Sequence, residues 1–135
     1  MNIDYSDTIM EAFHSPQYVY VADEKVDLIG YAGDMAIGEY VQLYFHVQKA
    51  ANYADNKIMQ ARFSAIGGVL LISAAEKLCS LLEGLTFEEA LKYCDPEIGL
   101  PHILEAPNEK IYSINFVTQA FYKAFETLTS HSSIL

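Results

Sequence analysis

Few residues in this chain of 135 have both the type and the spacing to do chemistry. Its two cysteines, Cys79 and Cys94, are too few and too poorly spaced for a structural zinc site or a disulfide framework. Cys79 falls inside an apolar helical pattern, where a thiol behaves as a small hydrophobe. Cys94 precedes Asp95-Pro96 at a helix end and is expected to be partly exposed and inert. His46 lies on the polar side of an alternating segment and is expected to be solvated. Gly67-Gly68 stand between a strand pattern and a helix pattern. Such a turn offers free backbone N–H groups at the positive end of a helix dipole, which suits an anion, a thiolate or a metal-bound ligand. The turn itself carries no side chain that could serve as one. No GxSxG, phosphate-binding glycine loop or HExxH pattern is present, so no enzymatic activity is expected.

Hydrophobic periodicity indicates the elements that would position these groups. Residues 57–64 alternate, with Met59, Ala61 and Phe63 opposed to Gln60, Arg62 and Ser64, as in a half-buried strand. After the glycines, Leu70, Leu71, Ala74, Ala75, Leu78, Leu81 and Leu82 recur at helical steps, giving a helix over 69–82. The clearest strand is 39–47, where Val41, Leu43, Phe45 and Val47 face one way and Tyr40, Gln42, Tyr44 and His46 the other. Residues 26–31 read as the first strand of a meander, with Gly30 and Gly33 serving the loop that follows. Asp4 or Ser6 caps a first helix ending near His14. Thr86-Phe87-Glu88-Glu89 is a capping box, and Asp95-Pro96-Glu97 offers a second cap with proline at the first helical position. Residues 111–128 form an amphipathic helix with Ile114, Val117, Phe121, Phe125 and Leu128 in one stripe. The fold class is α+β: a short three-stranded antiparallel sheet packed against several helices, in one domain over residues 1–135.

Taken together, several segments resemble the NifU/IscU-type iron–sulfur cluster assembly scaffolds. ARFSAIGG, residues 61–68, followed by a small-residue helix is similar to that family's strand–turn–helix, roughly ARFKTYGCGSAIASSS. Tyr5-Ser6 with Phe13-His14-Ser15-Pro16 resembles its N-terminal YS…NP segment. Gly33-Asp34-Met35-Ala36-Ile37-Gly38-Glu39 is similar to its GAPACGD loop, Thr86-Phe87-Glu88-Glu89-Ala90 to its SLDEA, and Lys110-Ile111-Tyr112-Ser113-Ile114 to its KIHCS. The resemblance implies a NifU/IscU-like fold in which three ligand loops meet at one tip. It also implies that the three family cysteines fall on Ile37, Gly68 and Ser113. The loop aspartate falls on Glu39, and the histidine beside the third cysteine on Tyr112. The family's LPPVK chaperone-recognition motif falls on Ala106-Pro107-Asn108-Glu109-Lys110, which keeps one proline and the lysine.

Iron–sulfur clusters are held mainly by cysteine thiolates, sometimes with histidine. An isoleucine and a glycine replace neither. Glu39, Tyr112 and Ser113 are a poor donor set for zinc and for a soft cluster, so no cofactor is expected. Glu39 is expected to sit exposed at its strand start. A net charge of −10 without a basic patch argues against nucleic acid and anionic membrane surfaces. No apolar run is long enough for a transmembrane helix, and the acidic N-terminus lacks a secretory n-region, so a cytoplasmic location is expected. Tyr40 and Tyr44 on the polar strand face, with Tyr18 and Tyr20 in the N-terminal connector, are the candidate partner surface. The function expected is that of a degenerate scaffold-like protein acting as a non-catalytic adaptor for protein partners. The first alternative is a retained role in cluster assembly, with iron or cluster held by other ligands or by a partner. The second is an enzyme whose site is not visible in sequence.

Overall fold

The alternation along the middle segment becomes the spine of the sheet. In the computed structural model, which describes residues 5–134 and their side chains as far as residue 128, three strands form an antiparallel meander in the order β1-β2-β3. They are β1 (Leu28–Asp34), β2 (Glu39–Gln48) and β3 (Lys57–Ile66). Along β2, Val41, Leu43, Phe45 and Val47 are buried, whereas Tyr40, Gln42, Tyr44 and His46 are half-buried on the opposite face.

Strand β1 begins later than its sequence suggests and continues through Asp34, so Gly30 and Gly33 lie within it rather than in the loop after it. The reason for Gly30 is close approach. A Cβ there would stand 1.9 Å from the Ala120 carbonyl oxygen of the last helix. The alternation of β3 also breaks near its start. His46 pairs with Gln60 but Val47 pairs with Ile58, so Met59 is an extra, bulged residue. Because side chains alternate with period two, that extra residue turns Met59 out to 44% exposure and buries Ile58 in its place. Ala61 and Phe63 keep the expected face.

Among the described residues, five helices pack around the sheet: α1 (Asp7–His14), α2 (Val69–Leu82), α3 (Phe87–Ala90), α4 (Leu100–Ile103) and α5 (Ile111–Ile134). Ser6 caps α1 by accepting from the Ile9 N–H, while Asp4 lies outside the described residues. The Thr86–Glu89 capping box starts α3. The second expected cap starts no helix. Asp95 Oδ1 accepts from the Glu97 and Ile98 N–H groups, but Gly99 then leaves the helical region (φ −87°, ψ −135°) and α4 begins only at Leu100.

Helices α2 and α5 cover the buried sheet face. Phe63, Leu78 and Phe121 are all in the core, and so is the α5 stripe Ile114, Val117, Phe121, Phe125 and Leu128. Phe45, Phe87, Phe121 and Phe125 form an aromatic cluster, with Phe125 centred 5.3 Å from Phe45 and 4.9 Å from each of Phe87 and Phe121. Each fully buried ring or leucine of this kind contributes about 1.5–3 kcal/mol. A strap from the N-terminal segment runs beside β3: the Phe63 N–H donates to the Tyr18 carbonyl at 2.9 Å and the Tyr20 N–H to the Phe63 carbonyl at 2.8 Å. Two sets of charged groups hold the strap. Buried Glu76 accepts from the Gln17 and Tyr18 N–H groups, and Arg62 bridges Glu24 at 2.7 Å and Glu83 at 2.6 Å. Among the described residues, no helix is long and apolar enough to cross a membrane.

Candidate functional site

Three turns converge at one end of the sheet. The β1–β2 connection is a 3-10 turn over Met35–Ile37, closed by Asp34 accepting from the Ala36 N–H and by Gly38 in the left-handed region at φ +74°. It delivers the chain into β2 at Glu39. The β3–α2 turn contributes Gly67 and Gly68, and the first turn of α5 contributes Tyr112 and Ser113.

Glu39 is not exposed but buried, at 7% accessibility. The strand phase dictates this, because Glu39 shares the inward face with Val41, Leu43 and Phe45. A carboxylate taken from water must find donors, and this one finds two. Its Oε2 accepts from the Gly68 N–H at 2.9 Å, and its Oε1 accepts from the Ser113 hydroxyl at 2.5 Å. The anion favoured at the start of α2 is therefore supplied by the chain itself. Glycine at 67 makes room for it, since a Cβ there would lie 2.4 Å from Glu39 Oε2. Gly68 has an ordinary extended conformation (φ −85°, ψ −174°), and a Cβ on it would rest 3.9 Å from the same oxygen.

Of the positions on which the ligand cysteines were placed, Gly68 and Ser113 thus meet through Glu39. Ile37 does not join them; it is 54% exposed on the 3-10 turn. Tyr112 also faces outward, at 46% exposure, with its ring edge-on to Phe116. Met35 and Ile66 are exposed beside them, so the closed carboxylate site carries an apolar rim.

The remaining candidate groups are tied up elsewhere. Both thiols are buried, which corrects the partial exposure expected for Cys94: it ends the 3-10 turn Leu91–Cys94 and is pressed onto the core. Burial pushes the Cys94 thiol up to about 12 and Cys79 well above its usual range, so neither forms a ready thiolate. His46 pairs through Nδ1 with Asp27 Oδ2 at 2.6 Å, and that oxygen also accepts from the Val47 N–H. The His46 hydrogen bond is the main cause holding the Asp27 carboxyl below its ordinary 3.8. Among the described residues, no three His, Cys, Asp or Glu side chains form a group that could hold a metal ion.

The four tyrosines proposed as a surface are half-buried, three of them against other parts of the chain. Tyr20 stacks on Tyr44 with centroids 4.1 Å apart, and the Tyr44 hydroxyl donates to Gln42 while accepting from the Ser64 hydroxyl. The Arg62 guanidinium lies over the Tyr18 ring. Tyr40 is nearest the tip, beside the exposed ring of Tyr31. Sequence reasoning missed two buried carboxylates, Glu39 and Glu76. For both the signal was available, because each falls in phase with the apolar positions of its own element.

The family model for the NifU-like N terminal domain matches residues 4–132. Over 108 residues the chain is 30% identical to the nitrogen fixation protein NifU of a Nostoc species. It is 29% identical to the NifU of Trichormus azollae over the same length. Each alignment covers 73% of this chain and 35% of the relative, so the chain spans about a third of the length of the curated relatives it matches. Among solved structures, a putative iron–sulfur cluster assembly scaffold protein for the SUF system from Fervidobacterium islandicum superposes with a TM-score of 0.57 at 20% identity, covering 93% of this chain and 94% of the other. A hypothetical protein superposes with a TM-score of 0.66 at 17% identity, covering 88% and 94%. At these identities the two structures speak for the fold.

Proposed function

The chain belongs to the NifU-like N-terminal domain family, and from that premise we propose that it is a degenerate, scaffold-like member acting as a non-catalytic adaptor for protein partners. The single observation that carries this reading is the Glu39 carboxylate bound between the Gly68 N–H and the Ser113 hydroxyl. An iron–sulfur cluster, as cargo, needs soft, charged thiolates. Here the corresponding positions offer an alkyl group, a bare backbone and a hydroxyl. The one anion present is a hard oxygen donor whose two oxygens are already engaged. The residues at the tip do not fit a cluster.

What the tip does offer is apolar surface: Met35, Ile37, Ile66 and Tyr112, with Tyr40 and Tyr31 alongside. Exposed apolar groups gathered around a rigid, polar-tied centre suit a protein contact. Tyr18, Tyr20 and Tyr44 form the half-buried flank of the same sheet.

Two measurements test this together. Anaerobic incubation of the purified protein with iron and sulfide should leave it colourless. Proteins captured from native cells by the tagged chain should be lost when Ile37→Asp and Tyr112→Asp are introduced at the rim. A stoichiometric cluster on the wild-type protein that survives Cys79→Ala and Cys94→Ala would overturn the reading.

A further inference from the structure

Away from the tip, helices α1 and α2 flank an open polar cavity of about 250 Å³, lined among others by Thr8, Glu11, Ser15, Glu76, Lys77 and Ser80. Its charged members are two carboxylates and one ammonium. Glu76 is the unusual one, 94% buried on the complement of its 6% accessibility. Its Oε1 accepts both strap N–H groups, from Gln17 and Tyr18, each at 2.9 Å. Its Oε2 has no hydrogen bond or ion pair among the described residues and is reached by solvent through the cavity that the side chain lines, since no buried side-chain oxygen among them lacks a partner. Lys77 does not neutralise it: adjacent helical residues point about 100° apart, and no ion pair joins Lys77 to Glu76 or Glu11 among the described residues.

We infer that this cavity is a binding site for the guanidinium group of an arginine side chain from a protein partner, with Glu76 Oε2, open to the cavity, as its acceptor and Glu11 and the surrounding hydroxyls completing the cradle. A carboxylate fixed by two backbone N–H groups through one oxygen, with the other open to a polar cavity, is matched best by a donor that brings both positive charge and hydrogen bonds. A planar guanidinium has five such donors. The chain's net charge of −10 draws basic partners toward it. Only the identity of the occupant rests on the adaptor reading; the site itself follows from Glu76.

The test is titration of the isotope-labelled chain with N-acetyl-arginine amide, followed by its amide resonances. The expected result is a saturable, millimolar response centred on the Gln17 and Tyr18 amides, absent with the uncharged N-acetyl-citrulline amide. Glu76→Gln should abolish the response, its amide oxygen still able to accept from the strap. Glu11→Gln, on the exposed face of α1, should weaken it several-fold without disturbing the fold. Four results would each overturn the inference: no saturable response, an equal response to citrulline, a response untouched by Glu11→Gln, or one retained in a folded Glu76→Gln protein. Binding of free arginine but not of the capped form would overturn the protein occupant and mark a small-molecule site. None of these outcomes depends on cluster formation, so this inference and the adaptor reading fail separately.

Discussion

Replacing Glu39 by alanine removes the tie between three elements at once, and its cost can be worked from the contacts. Two hydrogen bonds to an ionised acceptor, at about 1.5–3 kcal/mol each, set a ceiling of about 3–6 kcal/mol. Gly68 is exposed, so water takes over its N–H; Ser113 is 4% exposed, and its hydroxyl is left without water or partner. Relief of the desolvated charge offsets part of the loss, leaving a net cost of about 1.5–3 kcal/mol for Glu39→Ala. Glu39→Gln keeps the shape: its oxygen can accept from Gly68 and its NH2 can donate to the Ser113 oxygen, so it should cost about 1 kcal/mol or less. Urea unfolding followed by circular dichroism suits a chain that lacks tryptophan. The double variant with Ser113→Ala should show a coupling of about 1–2 kcal/mol. An alanine variant within about 0.5 kcal/mol of wild type, or a glutamine variant worse than alanine, would refute the reasoning, since burial and hydrogen bonding would then not govern this site.

Restoring cysteines should require moving the carboxylate. Ile37→Cys, Gly68→Cys and Ser113→Cys together should yield little cluster absorbance, and adding Glu39→Asp, which retracts the oxygens from the α2 turn, should raise it; equal absorbance from both proteins would contradict this. Gly30→Ala places a Cβ against the α5 backbone at Ala120 and should cost at or above the upper end of the usual overpacking range of about 1–3 kcal/mol, read as a lowered urea midpoint. Because the folded Asp27 carboxyl titrates below its ordinary 3.8, its contribution to stability is fully present above that pH and is lost as pH falls through 3.8 toward the folded value. Stability profiles of wild type and Asp27→Asn should therefore differ at neutral pH and converge in acid. A thiol reagent at pH 8 should modify neither Cys79 nor Cys94 in the native protein and both after unfolding.

The sheet, α2 and the stripe of α5 were legible because each repeats its own period over many residues. Glu39–Gln48 shows this most plainly, with every second side chain buried. Met59 was not legible, because a bulge is a property of how two strands pair rather than of either sequence. Gly30 looked like a turn residue because its reason, the backbone of Ala120, lies 90 positions away. At the candidate site, the turn's fitness for an anion was readable from Gly67-Gly68, and so was the absence of thiolates at Ile37, Gly68 and Ser113. That Glu39 itself fills the place was not, because its phase with Val41 and Leu43 signals burial but does not name the donors that would meet it. Cys94 was misplaced for a related reason: proximity to Asp95-Pro96 says where the helix ends, not which way its last residue points.

The strap beside β3 also decides how this protein meets other copies of itself. An open strand edge is a template on which further chains can add, and here the Phe63 N–H is already taken by the Tyr18 carbonyl and the Phe63 carbonyl by the Tyr20 N–H. The anchors of that cover are ionic: Glu76 beneath it, and Glu24, Arg62 and Glu83 beside it. The core beneath is held by leucines and phenylalanines, which do not depend on those charges. Arg62→Ala, which unlinks Glu24 from Glu83, should therefore uncover the β3 edge while leaving the interior folded. Aggregates formed by that variant should be ordered strand assemblies seeded at β3, built from molecules that are still largely folded.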